Sequence, residues 1–172
     1  MLDRLDRGLG QVTTALAYLG CAVVVLLFVL IVTDVTIRTL GFRPPAFTLA
    51  VVEYGLLYFA MFAAPYLVRQ RGHVVIEAVV ASLPRGAQVW LARLVYLACV
   101  AVSFLFAYFS SQLVAEAWTG EQVDMRGVDM PLWLQYLPMP LGFALIGLEF
   151  LRYLLGRASY YSYDLGELKD TV

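Results

Sequence analysis

Gly8 to Thr33 reads GLGQVTTALAYLGCAVVVLLFVLIVT, 26 residues without one charged side chain. A bilayer core of about 30 Å is crossed by about 20 apolar helical residues, so this stretch alone points to a membrane. Three more stretches repeat it. Pro44 to Val68 holds one charge, Glu53, in 25 residues; Leu94 to Ala115 holds none in 22; Met130 to Leu148 holds none in 19. None alternates with period two, which argues against a membrane barrel. The reading is an all-α membrane protein, one domain over residues 1–172, with transmembrane helices near 12–37, 47–69, 88–115 and 131–156.

Composition agrees. Of 172 residues, 62% are hydrophobic and 15% charged, against roughly a quarter charged in soluble domains. The formal net charge of −1 carries no basic excess that would suit nucleic acid. The lone histidine, His73, cannot build a histidine-rich metal site or a bis-histidine haem site. Cys21 and Cys99 both sit in apolar runs without metal-ligand spacing and read as small buried residues. The first span is longer than a signal-peptide core, and Asp3, Arg4, Asp6 and Arg7 balance in charge, so its retention is expected.

Orientation follows from arginine and lysine in the short segments. Arg4 and Arg7, then Arg69, Arg71 and Arg85, then Arg152, Arg157 and Lys169 fall on one side; Arg38, Arg43 and Arg126 fall on the other. Both termini are therefore expected in the cytoplasm. Val74 to Leu83, closed by Pro84, is too short to span and reads as a short interfacial helix near 74–84, between the second and third spans. The acidic loop from Trp118 to Met130 reads as an outer turn, with Trp118 and Trp133 as interfacial anchors and Trp90 as their counterpart on the other side. Pro131 suits a first helical turn, whereas Pro138 and Pro140 predict a short entry helix over 131–137, a bend, and then the main span.

Charges within spans cost free energy and invite a functional reading. Asp34 and Arg38 are spaced to pair on one helix face, and Glu149 and Arg152 likewise. Glu53 could reach the outer surface, pair with Arg38 or Arg43, or face a partner. No acid falls at mid-membrane, and no internal repeat, phosphate loop or nucleophile motif appears. This pattern suits a supporting subunit without catalytic or metal residues.

Three stretches carry a family resemblance. Glu53-Tyr54 opens the second span; Arg69-x-x-Gly72-His73-Val74-x-Ile76-Glu77 precedes Leu83-Pro84; and Pro131-x-Trp133-x-x-Tyr136 precedes Pro140-Leu141-Gly142. In this order among four spans they resemble the small DctQ-type membrane subunit of tripartite ATP-independent periplasmic (TRAP) transporters. The family more often has aspartate where this chain has Glu77. The resemblance implies a non-catalytic subunit of the bacterial inner membrane. It would pack against the scaffold of a large, sodium-coupled, elevator-type permease subunit. It would also help dock a periplasmic substrate-binding protein that delivers a small solute, often a carboxylate. Sodium would bind the large partner, and this chain would need no cofactor. Candidate partner-facing residues are Glu53, Tyr58, Arg69, His73 and Trp133; candidate junction residues are Gly72, Glu77, Pro84, Pro131, Tyr136, Pro140 and Gly142. Arg43, Glu121 and Asp124 are candidates for contact with the binding protein, and Arg69, Gly72 and His73 for setting the angle between the second span and the interfacial helix.

The main alternative is a self-sufficient small homo-oligomeric transporter. A membrane enzyme or haem anchor would need more buried polar ligands, and a disulfide-stapled outer domain would need cysteines in an outer loop.

Overall fold

The computed structural model describes residues 2–70, 85–125 and 129–155. Helix α1 runs Leu2–Thr39, α2 Thr48–Arg69 and α3 Arg85–Thr119. A two-residue antiparallel pair, β1 (Val123–Asp124) and β2 (Met130–Pro131), leads into the short α4 (Leu132–Tyr136) and then α5 (Pro138–Leu154). Four segments are long and apolar enough to cross a membrane: α1, α2, α3, and α4 with α5. The interfacial helix expected near 74–84, with Gly72, His73, Glu77 and Pro84, lies outside the described residues.

Helix α1 begins about ten residues before the expected span, because nothing in Asp3 to Arg7 stops a helix once it leaves the apolar layer. It ends in a Schellman turn: Gly41 is left-handed (φ 83°), Phe42 N–H donates to Ile37 O at 3.1 Å, and Gly41 N–H donates to Arg38 O at 3.1 Å. Helix α3 ends in the same way around Glu121. Gln122 N–H donates to Ala117 O at 3.2 Å and Glu121 N–H to Trp118 O at 3.3 Å, so Glu121 at φ 46° holds the place usually given to glycine. A left-handed non-glycine residue costs about 1–2 kcal/mol. Glu121→Gly therefore should raise the thermal midpoint by about 2–4 °C, measured by unfolding in detergent; an unchanged or lowered midpoint would contradict this reading of the turn.

The fourth span is broken, as the prolines predict, at Leu137. Pro138 and Pro140 both lie in the first turn of α5, where their missing N–H groups interrupt no bond within that helix. Pro131 is one residue earlier than expected for a helical position: it ends β2 and caps α4.

The helices form an open row rather than a closed bundle. Helix α1 packs along its length on α2, α2 on α5, and α5 on α3, while α4 sits beside α3. Apolar side chains lose no water on meeting one another in lipid, so close backbone approach decides such packing. Helices α1 and α2 meet where Gly20 lies against Phe59 and Phe62, and where Gly55 lies against Leu27. The buried seam of α3 recurs every seven residues, at Tyr96, Ser103, Ser110 and Ala117. On its partner α5, Phe143 stacks with Phe106 at 5.2 Å and Tyr153 with Tyr96 at 5.8 Å between ring centroids.

Candidate functional site

The row has two polar ends and an apolar middle. At one end, the last turns of α2 and α5 meet the first turns of α1 around Glu149, whose side chain is 0% exposed. Arg69 Nη1 donates to Glu149 Oε1 at 2.9 Å. Arg152 Nε stands 3.2 Å from Glu149 Oε2, close enough to pair although not aligned as a hydrogen bond. Asp6 completes the group: its carboxylate accepts from Arg152 Nη1 at 3.2 Å and lies 3.5 Å from Arg69 Nη2, and its backbone carbonyl accepts from Arg69 Nη2 at 3.2 Å. Two acids and two arginines cancel formally, which a buried cluster requires. The Tyr153 hydroxyl, 3.0 Å from the carbonyls of Val68 and Arg69, caps the end of α2.

The spacing of Glu149 and Arg152 correctly suggested their pair, and Asp34 and Arg38 also pair, at 3.1 Å. The convergence of Arg69 on Glu149, and of Asp6 on both arginines, was not read from the sequence. These groups lie 63, 80 and 146 residues apart along the chain, and no local spacing joins them.

At the opposite end, the hairpin folds back on α2. The Tyr54 hydroxyl donates to Asp124 Oδ2 at 2.6 Å. The Tyr58 hydroxyl donates to the carbonyl of Leu134 at 2.6 Å. That carbonyl would bond the N–H of residue 138 in a continuous helix, and Pro138 has none. The backbone group freed by the proline is thus satisfied within the chain. Tyr58→Phe should cost about 1 kcal/mol, read as a lower thermal midpoint, and an unchanged midpoint would show that water replaces the hydroxyl.

A second proline has a similar consequence. Pro65 inside α2 has no N–H for the Met61 carbonyl. Gly142 packs against that carbonyl so closely that a Cβ there would lie 2.9 Å from the oxygen and 3.0 Å from Met61 Cβ. Pro140, two residues before Gly142, lies in the first turn of α5.

The remaining candidates separate by exposure. Trp133 makes an edge contact with Trp118 at 4.8 Å between ring centroids, and Tyr136 is half-buried. Arg43 and Glu121 are exposed at this end, and Asp124 is half-buried beneath Tyr54. Glu53 is exposed on α2, in line with Leu49, Leu56, Ala60 and Leu67 at alternating spacings of three, four and seven residues. Helix α5 and its C-cap residue carry their own exposed line of Leu141, Leu148 and Leu155.

The family model for tripartite ATP-independent periplasmic transporters, DctQ component, matches residues 27–159. No curated protein gives a significant match to the chain.

Proposed function

We propose, for a chain that belongs to the DctQ family of tripartite ATP-independent periplasmic transporter components, that it is the static small subunit of a sodium-coupled importer. The family makes it a small membrane component of such a system, built around four helices able to span the bilayer. It packs against the scaffold of the large permease subunit and widens the frame against which that subunit's transport domain moves. Sodium and the solute, a small carboxylate, bind the large partner.

One observation carries this reading: the charged side chains at Asp6, Arg69, Glu149 and Arg152 are spent on one another, while long apolar faces are left exposed. An open row of four helices suits a partner laid alongside it. The line from Leu49 to Leu67 favours that contact, because its three-four spacing is that of helix-on-helix packing and it holds one carboxylate, Glu53. Tyr58 and Trp133 would support the surface from behind, and Arg69 would hold it at the charged end. The arginine distribution supports a cytoplasmic location for both termini. The other end then faces the periplasm, where Arg43, Glu121 and Asp124 would meet the substrate-binding protein.

The test is to express the tagged chain with its neighbouring membrane reading frame, extract both in mild detergent and determine the mass. A one-to-one assembly with a much larger polytopic protein, giving sodium-dependent uptake once the periplasmic component is added, is the expected result. A monodisperse homo-oligomer that transports by itself would overturn the reading in favour of a self-sufficient small transporter.

A further inference from the structure

We propose that the notch between the end of α3 and the hairpin binds a cationic side chain, an arginine or a lysine, presented by the periplasmic partner protein. It holds about 340 Å³ and is lined by Trp118, Glu121, Gln122, Val123, Pro131 and Trp133. The proposal rests on reading the chain as a small transporter subunit whose hairpin end faces the periplasm.

Two indoles and a carboxylate share this notch. Trp118, 61% exposed, meets Trp133 at 4.8 Å between ring centroids with the rings at 69°, so they form a corner rather than a stack. An aromatic face attracts a cation, tryptophan most strongly, and arginine is the commoner guest. The hairpin holds the corner in place: Val123 pairs with Pro131, and Leu132 N–H donates to Gln122 O at 2.9 Å. Anchoring at the membrane surface accounts for the two indoles, but not for the acid beside them. Glu121 stands in the left-handed region at φ 46°, where a glycine would sit without strain. Strain kept at a concave site points to a side chain that is needed there.

The sign of the surface does not hang on one residue. This end of the row carries Asp34, Glu53, Glu116, Glu121, Asp124 and Asp129 against Arg38, Arg43 and Arg126. Three bases cannot neutralise six acids, whichever acids they pair with, so the end stays negative. Arg38 is already held by Asp34 at 3.1 Å. Such a surface draws in a net cation and repels the phosphate that a zwitterionic lipid headgroup brings with its ammonium. That favours a protein side chain over a choline or ethanolamine headgroup. An exposed carboxylate and an exposed ring give a weak contact, which suits a carrier that must leave after each delivery.

The test titrates the full chain, in detergent and with isotope-labelled tryptophan, with N-acetylarginine amide. The indole resonances of Trp118 and Trp133 should shift together, while that of Trp90, exposed near the start of α3 at the other end, should stay still. N-acetylcitrulline amide, which keeps the shape and lacks the charge, should move none of them. Glu121→Gln should weaken binding about threefold, the worth of one exposed charge pair, and Glu121→Lys should abolish it. No shift, an equal response to the citrulline compound, or undiminished binding in Glu121→Lys would overturn the proposal. Tighter binding of phosphocholine than of the arginine compound would make the notch a lipid-headgroup site and overturn the protein assignment. In the assembled transporter, Trp118→Ala should raise the concentration of periplasmic protein needed for half-maximal uptake about fivefold; an unchanged value would overturn the partner assignment. Because the titration needs the chain alone, failure to find a large partner would sink the subunit reading, and the partner's identity with it, but leave the cation site standing.

Discussion

Glu149→Gln lowers the thermal midpoint of the purified chain by roughly 10 °C, the expected result of about 3–5 kcal/mol lost from a buried ion cluster. The glutamine keeps the shape and removes the charge. Arg69 and Arg152, which stand 2.9 and 3.2 Å from the carboxylate, then share only Asp6 between them. A net positive charge is left at a site where one of the side chains was fully buried. The double variant Glu149→Gln with Arg69→Gln restores formal neutrality, because Asp6 and Arg152 still pair. It should therefore be less damaged than the sum of the two single variants. Strict additivity in that cycle would show that charge balance is not what holds α2 to α5.

Gly142→Val should be as severe for a different reason. The added Cβ would lie 2.9 Å from the Met61 carbonyl oxygen, and a backbone oxygen cannot rotate out of the way as a side-chain tip can. Helices α2 and α5 must separate, which pulls on Arg69–Glu149 at one end and Tyr58–Leu134 at the other. Overpacking of this kind costs about 3 kcal/mol, more where backbone must move. The variant should aggregate on extraction or lose its large partner in co-purification. Gly20→Ala is the control, since a Cβ there would meet Phe59 at an ordinary 3.5 Å. Equal behaviour of the two variants would sink the argument.

The spans were legible in the sequence because charge gaps measure membrane thickness directly. The break at Leu137 was legible because proline at 138 cannot continue a helix. The two local ion pairs were legible because spacings of three and four residues bring side chains together. The order of helices in the row was not. A helix apolar all round has no preferred face, so hydrophobic periodicity cannot name its neighbour. The clue for α3 lay in size rather than polarity, in the seven-residue recurrence through Ser103, Ser110 and Ala117. The bond from Tyr58 to Leu134 links positions 76 residues apart, and no local pattern encodes it. Glu121 takes the left-handed position at φ 46° although a glycine, Gly120, stands beside it, and nothing in its side chain announces that. Of the candidate site, Gly142 in the Pro140-Leu141-Gly142 run now has a physical reason in the Met61 contact.

The open row also bears on how the chain enters the bilayer. Helices α1 and α2 form one hairpin, and α3 with α5 forms another, joined along α2 and α5. The four charges divide between them: the first hairpin carries Asp6 and Arg69, the second Glu149 and Arg152. Each half thus brings its own acid and its own base. If the first hairpin enters the bilayer before the second is made, these four charges are already balanced within each half. Docking then adds the cross-seam pairs Arg69–Glu149 and Arg152–Asp6 to the pairs inside each half, so the same four residues serve first as two insertion passes and afterwards as one lock.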